Sequence, residues 1–85
     1  MKEKQVGVVE HWFGHINVAG VKATKGPIEV GDVLHYKGHT TDFEEQVVSI
    51  QKKNKSVPKA KKGEAVGIKV VQKVREHDKV FKVTP

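Results

Sequence analysis

Lys52, Lys53, Lys55, Lys59, Lys61 and Lys62 crowd one short stretch, and residues 52–62 contain no acid. Ammonium groups at that density neutralise phosphates, so the chemistry they suggest is capture of a polyanion rather than bond making. Such contacts position a nucleic acid without reading its sequence. About five of them would give a log affinity against log salt slope of about −3.5 on a single strand. The competing reading is a solvated lysine-rich face of the kind common in proteins from hot environments. The chain has 15 lysines and one arginine, Arg75. That ratio leans toward the solvated face, because arginine is the usual bidentate phosphate ligand.

The other chemistry-bearing residues are sparse. There is no cysteine, which excludes disulfides, thiolate metal sites and cysteine nucleophiles. Of the five histidines, His11 and His15 can approach across Gly14, and His35 and His39 across Gly38 with Asp42 near. No HxH or HExxH spacing is present, so surface hydrogen bonding is the expected role and no metal or cofactor is expected. Ser49 and Ser56 lack a nucleophile-elbow context. Glu44 and Glu45 are adjacent, and on a strand they point to opposite faces, so they cannot share one acid–base site. Neither phosphate-binding glycine loop occurs, so no bound nucleotide is expected. These residues predict no enzyme.

The chain that must position them has 85 residues, which is one small domain with a small core. Its 16 valines argue for a folded β-rich interior. Charge divides along the sequence. Residues 1–50 carry 5 lysines and 7 acids, net −2, and residues 51–85 carry 11 basic residues and 3 acids, net +8, which sum to the overall +6. No apolar run approaches the ~20 residues of a membrane helix, and the N-terminus leads into no signal-peptide core. The expectation is a soluble, cytoplasmic protein that touches no membrane.

Short alternating segments separated by glycine turns fill the sequence. Gln5–Trp12, His15–Lys22, Ile28–Val30, Val33–Tyr36, Phe43–Gln51, Ala65–Arg75 and Lys79–Val83 are predicted strands. Asn54 is the predicted turn residue after Phe43–Gln51. The alternation slips at Val70-Val71, which predicts a bulge or bend. No window supports an amphipathic helix. Seven or so strands in one small chain predict an all-β fold, closed as a barrel to hide its edges. It should occupy residues 1–85 as a single domain with an ordered core over about 5–83.

The turn grammar resembles a known family. The run Val18 to Leu34, with Gly26-Pro27-Ile28-Glu29-Val30-Gly31-Asp32 at its centre, is similar to a segment of the second domain of translational GTPases such as elongation factor Tu. Val48-Ser49-Ile50-Gln51 and Ala60-Lys61-Lys62-Gly63-Glu64-Ala65-Val66-Gly67-Ile68 continue the likeness in the same order. The resemblance implies a small closed Greek-key β-barrel. It also implies a non-catalytic, elongation factor-like module that contacts RNA, tRNA or rRNA, or the ribosome. In that family's terms Gln51 and Glu64 join the lysine rim as RNA contacts. Gln51 stands where the family has an acid, and Ala65 where it has an asparagine, so recognition of an aminoacyl ester is not carried over.

A second reading makes the chain a protein-interaction module, the partner of a larger enzyme or factor. Its contact surface would be Trp12 or Phe13, of which one is expected to be exposed, together with His39, Thr41 and Asp42 in the polar loop Gly38–Phe43.

Overall fold

The computed structural model describes residues 2–85, and every regular element among them is a β-strand. The strands are β1 (Lys2–Phe13), β2 (Val18–Lys22), β3 (Ile28–Glu29), β4 (Val33–Lys37), β5 (Asp42–Gln46), β6 (Ile50–Lys52), β7 (Lys55–Val57), β8 (Lys59–Ala60), β9 (Ala65–Lys69) and β10 (Lys79–Thr84). Eight of them form one antiparallel sheet in the order β5-β4-β10-β1-β2-β9-β6-β7, and β3 pairs with β8 in a separate ribbon. The Cα radius of gyration is 11.2 Å.

The all-β expectation holds, but the closed Greek-key barrel does not. The ladder ends at β5 on one side and β7 on the other, and no pairing joins these edges among the described residues. The reason lies in the predicted Phe43–Gln51 strand. It breaks at Val47–Ser49 into β5 and β6, which run to opposite sides of the sheet. At the break Val47 leaves the ladder. Its N–H donates to the Asp32 carbonyl, its carbonyl accepts from Gly31 N–H, and its side chain is buried.

One face of the curved sheet carries the core. Val6, Val9, Ala19, Val21, Leu34, Tyr36, Ile50, Val66, Ile68 and Val80 alternate inward from six strands. Ile28 and Ala60 of the ribbon and Val70 and Val74 of the following loop complete it. Tyr36 is among the largest fully buried side chains and stacks on Phe43, with ring centroids 5.0 Å apart. Burial, and then the negative charge of Glu45, push its phenol pKa well above the ordinary value.

The pairing of β1 explains why its inward residues break a simple alternation. It slips between Gln5 and Gly7 against β10, and between Val9 and His11 against β2. Each bulge puts two successive residues on one side and re-phases the side chains beyond it. Val6 and Val9 therefore both face the core despite their odd separation, and further along Trp12 packs against the core while Phe13 points out.

The predicted Ala65–Arg75 strand ends at Lys69, at the phase slip seen in the sequence. Residues 70–78 form an irregular loop organised by Asp78, which is buried. One Asp78 carboxylate oxygen accepts the Arg75 N–H at 2.8 Å, and its carbonyl accepts the Val9 N–H at 2.8 Å. The other carboxylate oxygen lies against Gly38, only 1.9 Å from where a Cβ would sit. Glycine is required there by close approach rather than by backbone torsion.

Candidate interaction surface

The outer face of the β1–β2–β9–β6 quarter carries a trough. Across these four strands His11, Gly20, Gly67 and Gln51 stand in one lateral row. The two central positions have no side chains, so the sheet surface is hollow along this row. Phe13 leans into the hollow, with an edge atom 3.2 Å from where a Gly20 Cβ would be, and Val18 covers Gly67 in the same way at 3.0 Å. The groove has a volume of about 360 Å³, with Glu10 and His11 on one wall and Lys53 and Asn54 on another.

Its rim is apolar and exposed. Phe13 is 45% and Ile16 57% accessible. The His11 ring tilts against Phe13 with centroids 4.4 Å apart, which limits the orientations of Phe13. Lys69 Nζ donates to the Ile16 carbonyl at 3.1 Å and fixes the turn that presents Ile16. Lys53 and Asn54 form the tip of the β6–β7 hairpin, both at positive φ, the conformation a tight two-residue hairpin needs. The arrangement has the shape of a contact surface: exposed aromatic and aliphatic side chains over a hollow floor, with charges confined to the margin.

The lysine rim is less free than its sequence suggests. Lys52 is paired with Glu64. Glu64 also accepts the Lys61 N–H at 2.7 Å, so it buckles the turn before β9. The Lys52 ammonium and then that N–H hold its carboxyl below the usual range. Lys59 faces Glu29 at 3.9 Å. Lys53, Lys55, Lys61 and Lys62 make no ion pair among the described residues. They lie on separate turns and strands rather than as one stripe, and Gln51 lies on the groove.

The polar loop Gly38–Phe43 divides in two. Thr41 is buried, and its carbonyl accepts the Gly38 N–H at 2.8 Å. It closes a local turn and is not offered to a partner. His39 is exposed. Asp42 is engaged by His35: Asp42 Oδ1 lies 2.5 Å from His35 Nε2, and both Glu3 oxygens lie 3.0 Å from Nδ1. A carboxylate at each nitrogen favours the protonated ring. The Asp42 bond, then the Glu3 bond, raise its pKa from 6.5, against a smaller opposing effect of burial. Sequence reasoning named Asp42 and the nearness of His35. Glu3, 32 residues away from His35, had no local signal.

No known family model matches the chain. It is 37% identical over 78 residues to an "Uncharacterized protease" of Methanocaldococcus jannaschii, a match covering 91% of this chain and 19% of that protein. It is 32% identical over 78 residues to a "Collagenase" of Porphyromonas gingivalis, covering 91% of this chain and 22% of the relative. The chain thus spans about a fifth of the length of the curated relatives it matches. In structure it is similar to the crystallised C-terminal domain of a "putative U32 peptidase" of Geobacillus thermoleovorans. The TM-score is 0.87 at 17% identity, covering 95% of this chain and 93% of that one. The selenomethionine variant of the same domain gives 0.84 at 16% identity, covering 91% and 96%.

These likenesses correct the translation-factor reading. Both sequence relatives and structural neighbours are proteins named as proteases or peptidases. The elongation-factor identity, and the RNA, tRNA and ribosome partners that came with it, are withdrawn. The glycine turns that carried the resemblance, Gly31-Asp32 and Gly63-Glu64, suit small sheets with short hairpins in general, so their order along the chain is not specific to translation factors.

Proposed function

We propose that this domain is a non-catalytic accessory module of a peptidase-type enzyme, docking on the larger enzyme through the groove between Phe13, Ile16 and Gln51. The carrying observation is the 37% identity that runs through 91% of this chain and only 19% of the protease relative. A segment of that size fits a module attached to machinery lying elsewhere. The structural likeness to a domain crystallised apart from the rest of its peptidase supports the same reading. So does the local chemistry. Ser56 lies opposite Gln51, an amide and not a base, in the β6–β7 hairpin, and in the metal-free chain both His35 ring nitrogens face carboxylates.

The rim fits docking. Exposed phenylalanine and isoleucine side chains beside a hollow are the kind of anchors that contribute most at a protein interface. Interfaces between domains of one enzyme commonly bury about 600–1,500 Å², and a patch centred on the groove is enough to seed one.

The test is titration of the purified 85-residue chain with the remaining portion of a U32-type peptidase, read by calorimetry. A one-to-one complex weakened at least about tenfold by a Phe13→Ala, Ile16→Ala double variant is expected. Absence of a complex, or hydrolysis of peptide by the chain alone, would overturn the reading.

A further inference from the structure

One acid beside the His35 imidazole has no role in the ion-pair cluster. Glu44 stands directly opposite His35 in the β4–β5 pair. It makes no ion pair among the described residues. Yet a Glu44 carboxylate oxygen, a Glu3 oxygen and a ring nitrogen of His35 all lie within 4.8 Å of one another. Carboxylates held that close repel unless a cation stands between them. Glu3, Asp42 and Glu44 bring three carboxylates around one imidazole, on a chain whose overall charge is +6. Lys37, opposite Asp42, is the nearby ammonium, and it acts on the Asp42 side.

We propose that Glu3, His35 and Glu44 form a binding site for a divalent transition-metal ion of the zinc class. Bonds of about 2.0–2.2 Å to nitrogen and oxygen put tetrahedral ligands some 3.3–3.5 Å apart. The present spacing reaches that by small rotations of two exposed glutamate side chains. One imidazole with carboxylates suits Zn²⁺, Mn²⁺ or Ni²⁺. It does not suit Ca²⁺, which takes six to eight oxygen ligands.

The strands bring the three ligands together. His35 and Glu44 come from paired strands, Glu3 reaches over from β1, and the Phe81 ring flanks the imidazole with centroids 6.2 Å apart. On binding, His35 Nδ1 releases its proton to solvent and takes the ion, while Nε2–H goes on donating to Asp42. A carboxylate on the far nitrogen is the usual support for a metal-bound imidazole, and its removal typically weakens binding about 10–100-fold.

Glu44 separates this site from a plain ion-pair clamp, which uses Glu3 and Asp42 and gives Glu44 no work. The experiment is calorimetric and thermal titration of the chelator-treated chain with ZnCl₂, MnCl₂ and CaCl₂. One zinc per chain is expected, with a rise in Tm of about 10 °C or more at a hundredfold excess over Kd. Glu44→Gln relieves the repulsion, so it should not lower the metal-free Tm, and it should weaken zinc at least tenfold. Asp42→Asn should weaken it less, and His11→Gln not at all. No zinc binding at millimolar concentration would overturn the proposal. So would binding that Glu44→Gln and His35→Gln leave intact, or calcium binding as tightly as zinc.

Discussion

β1 belongs to two unlike surfaces. Its C-terminal half, with β2, β9 and β6, builds the groove. Its N-terminal half, with β10, β4 and β5, builds the charged cluster on His35. The groove owes its shape to what is missing, since two facing glycines remove the side chains that would fill it. The other end is crowded with interlocked charge. Charges clamped to one another are slow to reorganise for a partner, and they serve position or an ion. An apolar hollow with free rims loses little by exchanging water for a protein surface. The two halves of one strand thus divide structural clamping from contact.

Trp12 and Phe13 break this comparison most sharply, because they are neighbours on opposite faces. Trp12→Ala should cost about 3 kcal/mol, as expected for truncating an aromatic packed on a core. Phe13→Ala should stay within about 0.5 kcal/mol, as an exposed position does. Denaturant titration of both variants checks this, and equal losses would mean that the second bulge of β1 does not set the faces.

Gly38→Ala should come next, at about 2 kcal/mol or more. Its Cβ would lie inside contact distance of the buried Asp78 carboxylate, and overpacking of that kind commonly costs about 1–3 kcal/mol. A Gly20→Ala control on the groove, where the new Cβ meets the Phe13 ring edge at 3.2 Å and the His11 carbonyl oxygen at 3.3 Å rather than a carboxylate at 1.9 Å, should cost less.

The His35 cluster predicts a smaller, pH-dependent effect in chelator-treated protein. His35 has its pKa raised above 6.5, so its pairing contributes fully below that value and is lost as pH rises through the raised one. Asp42 is lowered below 3.8 by the His35 bond, so its contribution is present above 3.8 and lost as pH falls through the lowered value. The pair therefore stabilises most between about pH 4 and 6.5. His35→Gln should flatten the profile there by a few degrees in Tm, roughly 1–5 °C. An unchanged profile would show that the carboxylates do not hold the ring in solution.

Lys53→Ala and Lys55→Ala should do least. Neither side chain has an ion-pair partner among the described residues, and the Tm should stay within about 2 °C. A larger loss would mean that the hairpin tip supports the groove wall.

Much of the fold was legible because local chemistry dictated it. The valine-rich alternations around Val66, Ile68 and Val70 face the core as their period requires, and the Val70-Val71 slip marks the end of β9. The turn at Asn54 also stands where its residue type placed it. The break at Val47–Ser49 was not legible, because no glycine or proline punctuates it. A backbone exchange with the distant Gly31-Asp32 turn makes it. The groove was half legible: an exposed aromatic at Trp12 or Phe13 was foreseen, but the pairing of Gly20 with Gly67 exists only once β2 and β9 are side by side. The capping role of Glu64 was not legible either, because a carboxylate beside lysines in sequence says nothing about the N–H it will accept.

The sequence alone determined that the chain is built of strands, that it has no thiol chemistry, and where most turns fall. Those depend on side-chain branching, composition and backbone freedom, which act over a few residues. Only the tertiary structure decided which of two adjacent aromatics faces out, which lysines are neutralised, that the sheet stays open, and that Glu3 and Glu44 meet at His35. Strand register and bulges decide these, because long-range pairing sets them and each shift turns every later side chain to one face or the other.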